Sequence, residues 1–145
     1  MVSHSLRHVQ DLYILPYVYL CFMASKPTVI IYDDNQDLLE MCTMVLSTID
    51  VEIVTRTSCE TMMNDLEVFQ PSAVLMDNHI GAFSGVTAVQ QIKASEFRNT
   101  CTILFSANFH VKALAVEAGA DYYLEKPFNI HELRNIVLTC IGVDC

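Results

Sequence analysis

Residues 28–35 read TVIIYDDN, a run of strand-forming side chains followed directly by two aspartates and an asparagine. A short continuous apolar run is typical of a strand covered on both faces, as the strands of a parallel sheet are. The aspartates and the asparagine are residue types that begin helices by capping them. This stretch therefore predicts a buried strand with carboxylates at its carboxyl end and a helix after it.

The same arrangement recurs along the chain. Four further runs have strand length: Val51–Thr57, Ala73–Met76, Thr102–Phe105 and Tyr122–Leu124. Apolar stripes with helical spacing follow the five runs, beginning at Leu38, Met62, Val86, Val111 and Ile130. Strict alternation of strand and helix predicts an α/β fold with a parallel sheet. The second run alternates, with Glu52 and Arg56 on one side, which favours a place at the edge of the sheet.

Composition narrows the class of protein further. The 145 residues are 52% hydrophobic and 17% charged, which excludes a disordered chain and fits one domain. The net charge of −9 repels nucleic acid phosphates, so we expect no direct nucleic acid binding. Six cysteines occur without CxxC spacing, and we interpret them as reduced thiols in a cytoplasmic protein, with a disulfide or zinc site as the alternative.

The first 25 residues stand apart from this pattern. Leu12–Ala24 is apolar except for Pro16, but about 13 residues fall short of the ~20 that span a bilayer, so we expect no membrane span. The alternatives are a signal-peptide core, an added packing segment, a partner-binding strand, or sequence upstream of a true start at Met23. We interpret residues 1–25 as an appendage without a catalytic role, and residues 26–145 as the functional domain.

Chemically active side chains follow the predicted strands. They are Asp33, Asp34, Asp77, Ser106 and Lys126. The carboxyl ends of parallel strands share one edge of a sheet, where such folds bind ligands, so these groups are expected to converge. Three carboxylates suit Mg²⁺, an aspartate can attack phosphorus, and an ammonium can neutralise phosphoryl oxygens. Taken singly, each has an ordinary structural role as a helix cap, turn or surface residue; together they indicate phosphoryl chemistry.

The motifs VIIYDDN, VLMDNHIGAFSG, ILFSA and YYLEKPF resemble the receiver domain of two-component response regulators. The resemblance covers residues 28–141. It implies a flavodoxin-like, doubly wound sheet of five parallel strands in the order 2-1-3-4-5, flanked by five helices.

The resemblance also implies an Mg²⁺ site. Asp77 is the expected phosphoacceptor and a metal ligand. Asp34 is expected to bind the metal directly, Asp33 mostly through metal-bound water, and His79 through its backbone carbonyl.

The resemblance implies roles for further residues, according to their positions in the motifs. Lys126 is expected to contact the phosphoryl group. The peptide bond between Lys126 and Pro127 is expected to be cis, as is usual in this family. Ser106 is the expected switch hydroxyl and Tyr123 the aromatic side chain that follows it. Gly85 matches a loop glycine of the family, whereas Gly81 departs from a common proline and is expected to loosen its loop.

The function so implied is a stand-alone phosphoacceptor switch rather than an enzyme with an external substrate. A histidine kinase or a phosphotransfer protein is the expected donor. Because the chain ends four residues after the last helical stripe, we expect output through a downstream target protein, onward phosphotransfer, or a domain removed from it. The alternatives are an aspartate-nucleophile phosphatase that uses Mg²⁺, whose second aspartate is replaced here by His79, and a degenerate receiver that acts as a binding module. A dinucleotide-binding fold is excluded because no GxGxxG follows the first strand.

Overall fold

The run TVIIY forms an interior strand of the sheet in a computed structural model that describes residues 25–143. The strands are β1 Thr28–Tyr32, β2 Glu52–Arg56, β3 Ala73–Asp77, β4 His79–Ile80, β5 Phe83–Ser84, β6 Cys101–Ser106 and β7 Tyr122–Glu125. The helices are α1 Gln36–Leu46, α2 Met62–Phe69, α3 Gly85–Ala94, α4 Val111–Ala118 and α5 Ile130–Cys140. All five predicted strands and all five predicted helices are therefore present.

The main sheet has the order β2-β1-β3-β6-β7, and its neighbouring strands are all parallel. Because β4 and β5 form a separate two-stranded hairpin, this order is the expected 2-1-3-4-5. The alternating strand β2 lies at an edge, as predicted. The hairpin was not predicted, since two-residue strands leave no periodic signal in the sequence.

Both faces of the sheet are buried, and alternate residues of each strand supply two cores. Ile30, Val74 and Leu104 face the core covered by α2, α3 and α4. Val29 and Leu75, one position away, face the core covered by α1 and α5. This double cover explains why the central strands are apolar at every position.

Local capping sets where the helices begin and end. The side chain of Asn35 accepts a hydrogen bond from the Leu38 amide and begins α1 immediately after the two aspartates. Asn129 and Glu132 form a capping box at the start of α5. Gly119 ends α4 in the left-handed conformation, at a φ of 76°.

The interpretation of all cysteines as reduced thiols is wrong for one pair. Cys101 and Cys140 form a disulfide, with their Cα atoms 5.7 Å apart. They are 39 residues apart in sequence, and the fold brings the first residue of β6 against the last residue of α5. Cys42 and Cys59 are free thiols, whereas Cys21 and Cys145 lie outside the described residues.

Within residues 25–143, no helix combines the length and the apolar character needed to cross a bilayer. Residues 1–24 lie outside the described part of the chain, so their interpretation as an appendage stays a prediction.

Candidate functional site

Three carboxylates meet at the carboxyl edge of β1 and β3. Tyr32 pairs with Met76 in the register of the two strands, so the residues that follow, Asp33 and Asp77, lie at the same level. Asp34 completes the group: each of the three aspartates offers a carboxylate oxygen, and these oxygens lie within 4.8 Å of one another. Asp33 and Asp77 are buried, whereas Asp34 is exposed. The predicted convergence of the acidic residues is therefore present.

Lys126 reaches this group from the far side of the sheet. It follows the edge strand β7, and its ammonium lies 4.7 Å from the ring centroid of Phe105 on the intervening strand β6. Its Nζ donates to Asp33 Oδ2 at 2.7 Å and to Asp77 Oδ1 at 3.0 Å. One cation thus bridges two buried carboxylates, which reduces their mutual repulsion.

The pKa values of Asp77 and Lys126 follow from the burial of the two side chains and from these contacts. Burial raises the pKa of Asp77, and the charges of Asp33 and Asp34 raise it further, against the lowering effect of Lys126. Burial acts to lower the pKa of Lys126, but its hydrogen bonds to Asp33 and Asp77 outweigh burial and raise it. The ammonium therefore stays charged, and the carboxylates remain crowded enough to favour an added cation.

A second set of contacts holds the loop after Asp77. The amide of Asn78 donates to the Phe105 carbonyl at 3.0 Å, and its carbonyl accepts from the Gly85 amide at 2.8 Å. A Cβ at Gly85 would overlap the backbone carbonyl of Asp77, so only glycine fits there. The loop glycine noted in the sequence therefore allows helix α3 to begin directly against the backbone of Asp77.

Gly81 ties the hairpin to the acidic group. Its φ is 58°, and its amide donates to Asp34 Oδ2 at 3.0 Å. This contact joins the hairpin to Asp34. The expectation that a glycine at this position loosens the loop stays a prediction. The side chain of His79, at the start of the hairpin, is exposed, with Nε2 3.5 Å from Nδ2 of Asn78.

Ser106 and Tyr123 lie on the strands next to this group. Ser106 is the last residue of β6, is 2% exposed, and accepts a hydrogen bond from the Asn108 amide at 3.1 Å. Its carbonyl accepts from the Lys126 amide at 2.9 Å, which joins the ends of β6 and β7. Tyr123 pairs with Leu104 in the register of β7 and β6 and is 43% exposed. Ser106 thus lies one residue beyond the register partner of Asp77, and Tyr123 lies on the edge strand of the sheet.

Sequence reasoning missed one buried carboxylate near the site. Asp65 on α2 is 3% exposed and accepts from the Tyr32 hydroxyl at 2.9 Å, from Arg56 Nη2 at 3.1 Å and from the Thr61 hydroxyl at 3.1 Å. Because Tyr32 precedes Asp33, these bonds fix the end of β1. The sequence carried one sign of this buried carboxylate, because Asp65 lies three residues after Met62, on the apolar face of the helix.

The residues present fit the expected metal. Mg²⁺ binds oxygen ligands, commonly one or two carboxylates with water and phosphate oxygens completing its shell. The acidic group offers three carboxylates that can share one ion, and one of them is exposed to solvent. These carboxylate oxygens are the observation on which the fit to Mg²⁺ depends.

A doubly wound parallel sheet with an acidic triad and a lysine at its carboxyl edge defines a class of α/β domains. Within that class, the family model described as the response regulator receiver domain matches residues 29–138, so this chain belongs to that family. The resemblance and the fold predicted from the sequence are both confirmed.

Two curated relatives illustrate the family. The transcriptional regulatory protein PrrA of Mycobacterium leprae is 27% identical over 111 residues, which are 76% of this chain and 48% of PrrA. The regulatory protein AtoC of Escherichia coli is 30% identical over 118 residues, 79% of this chain and 25% of AtoC. This chain therefore spans about half the length of PrrA and about a quarter of AtoC.

Solved structures agree on the fold. The response regulator DrrB of Thermotoga maritima superposes with a TM-score of 0.69 at 27% identity, covering 78% of this chain and 51% of DrrB. The receiver domain of a two-component response regulator from Bacteroides fragilis gives a TM-score of 0.74 at 24% identity, covering 83% of this chain and all of that domain.

Proposed function

We propose that this chain is a phosphoacceptor switch of a two-component phosphorelay, in which Asp77 accepts a phosphoryl group from the phosphohistidine of a histidine kinase or a phosphotransfer protein. The observation that carries the proposal is the position of Asp77 among Asp33, Asp34 and Lys126 at the carboxyl edge of the sheet. Such a carboxylate is both a nucleophile and part of a cation site.

The transfer itself is a displacement at phosphorus. A carboxylate oxygen of Asp77 forms a bond to phosphorus as the bond from phosphorus to the donor imidazole nitrogen breaks, and the electron pair stays with the imidazole. The charge on the transferred group is spread over its oxygens, so catalysis is mostly positioning and charge stabilisation. Lys126, held by two carboxylates, supplies one fixed positive charge beside Asp77.

Asp33, Asp34 and Asp77, with the backbone carbonyl of His79, are the proposed ligands of Mg²⁺. When bound, the ion supplies Lewis-acid neutralisation of phosphoryl oxygens. Asp33 is held for this role by the Asn35 amide, which donates to its Oδ1 at 2.8 Å.

The proposed switch couples the acceptor to the surface. Ser106 is the last residue of β6, which pairs with β3, and its hydroxyl can turn from its partner Asn108 toward a phosphoryl group on Asp77. Tyr123, half-exposed on β7, is the proposed reporter on the surface formed with α4 and α5. Phosphorylation would then shift the population between two arrangements of this surface, which a downstream target protein reads.

We place this switch in the cytoplasm, where such donors act, and propose no direct contact with nucleic acid, because the chain carries a net charge of −9. The protein names of PrrA and AtoC describe regulators of which this chain matches only a part.

The test is the intact mass of the full chain after incubation with acetyl phosphate and Mg²⁺. We expect a phosphoryl adduct of about 80 Da that requires the metal and is lost in Asp77→Asn and in EDTA. Asp37→Asn is the matched control, because it makes the same change at an exposed residue in the first turn of α1. An adduct that survives in Asp77→Asn would refute the proposal, and turnover of a phosphate ester without an adduct would favour the phosphatase alternative.

A further inference from the structure

We propose that Cys101 and Cys140 form a thiol–disulfide exchange site, oxidised and reduced by anionic low-molecular-weight disulfides and thiols of the glutathione type. The site is separate from the acidic group and does not depend on the proposed phosphoryl transfer.

The fold itself brings the two sulfurs together. Cys101 begins β6 and Cys140 ends α5, and their Cα atoms are 5.7 Å apart, within the range that a disulfide spans. Both strand and helix are fixed by the sheet and by its core, so the pairing does not depend on a loop adopting one conformation. The neighbouring Thr102 is anchored as well, because its amide donates to Asp121 at 2.8 Å.

The pair is reachable from solvent. Both cysteines are half-buried, and both line a surface depression of about 410 Å³. The same depression is lined by Lys93, Arg98 and Asp121. The two cysteines therefore form part of a surface that a small disulfide can reach without unfolding of the domain.

The charge of this depression favours an anionic reagent. Lys93 is neutralised by Asp121, to which its Nζ donates at 2.7 Å. Arg98 is exposed, and its guanidinium has no ion-pair partner among residues 25–143. The one net positive charge among these lining side chains attracts an anion locally, on a chain that is otherwise acidic.

The other described cysteines react poorly with an external disulfide. Burial raises the pKa of Cys42 and of Cys59 to about 11, so both remain protonated at neutral pH. A protonated thiol is not the attacking species in exchange.

The exchange balances in two steps. The thiolate of one cysteine attacks a sulfur of the external disulfide, and one external thiolate leaves with the electron pair of the broken S–S bond. The second cysteine then attacks the mixed disulfide, forms the Cys101–Cys140 bond and releases the second external thiolate. The two protons of the protein thiols pass to the two released thiolates, so the protein is oxidised by two electrons and the external disulfide is reduced to two thiols.

This site lies at the opposite end of the sheet from Asp77. Ser106, at the carboxyl end of β6, is five residues from Cys101, or about 17 Å along an extended strand. The loop that the disulfide closes contains α4, β7 and α5, so oxidation restricts the unfolded chain over this whole third of the domain.

The test equilibrates the full chain, without phosphodonor or Mg²⁺, in glutathione buffers from fully reduced to disulfide-rich. Free thiols are then alkylated, and the peptides are mapped by mass spectrometry. We expect one titratable cross-link, between Cys101 and Cys140. We also expect the melting temperature of the oxidised chain to exceed that of the reduced chain by on the order of 10 °C, given the length of the closed loop.

Cys101→Ser and Cys140→Ser should each abolish the cross-link and the redox dependence of the melting temperature. Cys59→Ser is the matched control and should keep both. A cross-link that involves Cys21 or Cys145 in place of this pair, or thiols that stay free at the disulfide-rich limit, would overturn the proposal. Because the mapping of the unmodified chain decides the matter alone, the proposal is testable even if a variant fails to fold.

Discussion

Replacing the proposed phosphoacceptor by its amide isostere, Asp77→Asn, should stabilise the metal-free protein at neutral pH. Asp77 is buried beside another buried carboxylate, and burial is the main cause of its raised pKa. An asparagine keeps the shape and can still accept the hydrogen bond from Lys126. The substitution removes a negative charge whose burial destabilises the folded state.

The size of the effect follows from the distances. At an effective dielectric constant of about 20, charges on Asp33 and Asp77 within 4.8 Å repel by about 3.5 kcal/mol, and Lys126 at 3.0 Å attracts Asp77 by about 5.5 kcal/mol. The exposed Asp34 adds a weaker repulsion, because solvent screens it. These two contributions leave a net attraction of about 2 kcal/mol. The repulsion from Asp34 and the burial of Asp77 together exceed it, so we expect a gain of about 1 kcal/mol in the free energy of unfolding.

The pH dependence has a defined sign. A carboxyl whose pKa is raised on folding binds its proton more tightly in the folded state, so it lowers stability as pH rises from the ordinary value of 3.8 through the raised one. The advantage of Asp77→Asn should therefore be smallest near pH 4 and larger at pH 7.5.

Urea denaturation in EDTA at the two pH values measures this difference, with Asp37→Asn as the control for a carboxylate lost elsewhere. Adding Mg²⁺ should reverse the order, because the ion stabilises the protein that has all three carboxylates. An Asp77→Asn protein that is less stable than the wild type in EDTA at pH 7.5 would refute the reasoning.

Three further substitutions test the surroundings of the site. Gly85→Ala should cost about 2 kcal/mol or more in urea denaturation, because its Cβ overlaps backbone that cannot move as a side chain does; a change near zero would contradict the close approach. Tyr32→Phe should cost about 2 kcal/mol by removing a donor to the buried Asp65, and equal urea midpoints would show that this bond contributes nothing. Burial acts to raise the pKa of Asp121, but hydrogen bonds from Lys93 and Thr102 outweigh it and lower the pKa, so the stability that this carboxylate provides is present above pH 3.8 and is lost as pH falls through the lowered value. The stability difference between the wild type and Asp121→Asn should accordingly vanish in strong acid, and a difference that persists there would contradict the assignment.

Periodic features of the chain were predictable from the sequence. The continuous apolar run at Thr28–Tyr32 identified an interior strand, because a strand buried on both faces is apolar at every position. The alternation at Glu52 and Arg56 identified an edge strand, because a strand buried on one face is apolar only at every second position. The acidic triad was predictable for a topological reason: parallel strands end at one edge, so residues after each strand meet.

Other contacts were not predictable in this way. The Cys101–Cys140 pair depends on where α5 ends against β6, and a register between a helix and a strand 39 residues apart has no local sequence signal. The anchoring of Tyr32 by Asp65 depends on the packing of α2 against β1. Single polar residues on apolar faces, such as Asp65, are the local sign that a specific buried partner exists.

The central claim is that Asp77 carries the phosphoryl group, and trapping it there is the most direct measurement. After incubation with acetyl phosphate and Mg²⁺, borohydride reduction converts an aspartyl phosphate to homoserine, which peptide mass spectrometry locates by residue. We predict homoserine at position 77 alone, and none when the metal is chelated. Homoserine at Asp33 or Asp34, or a phosphoryl group that resists borohydride, would contradict the account.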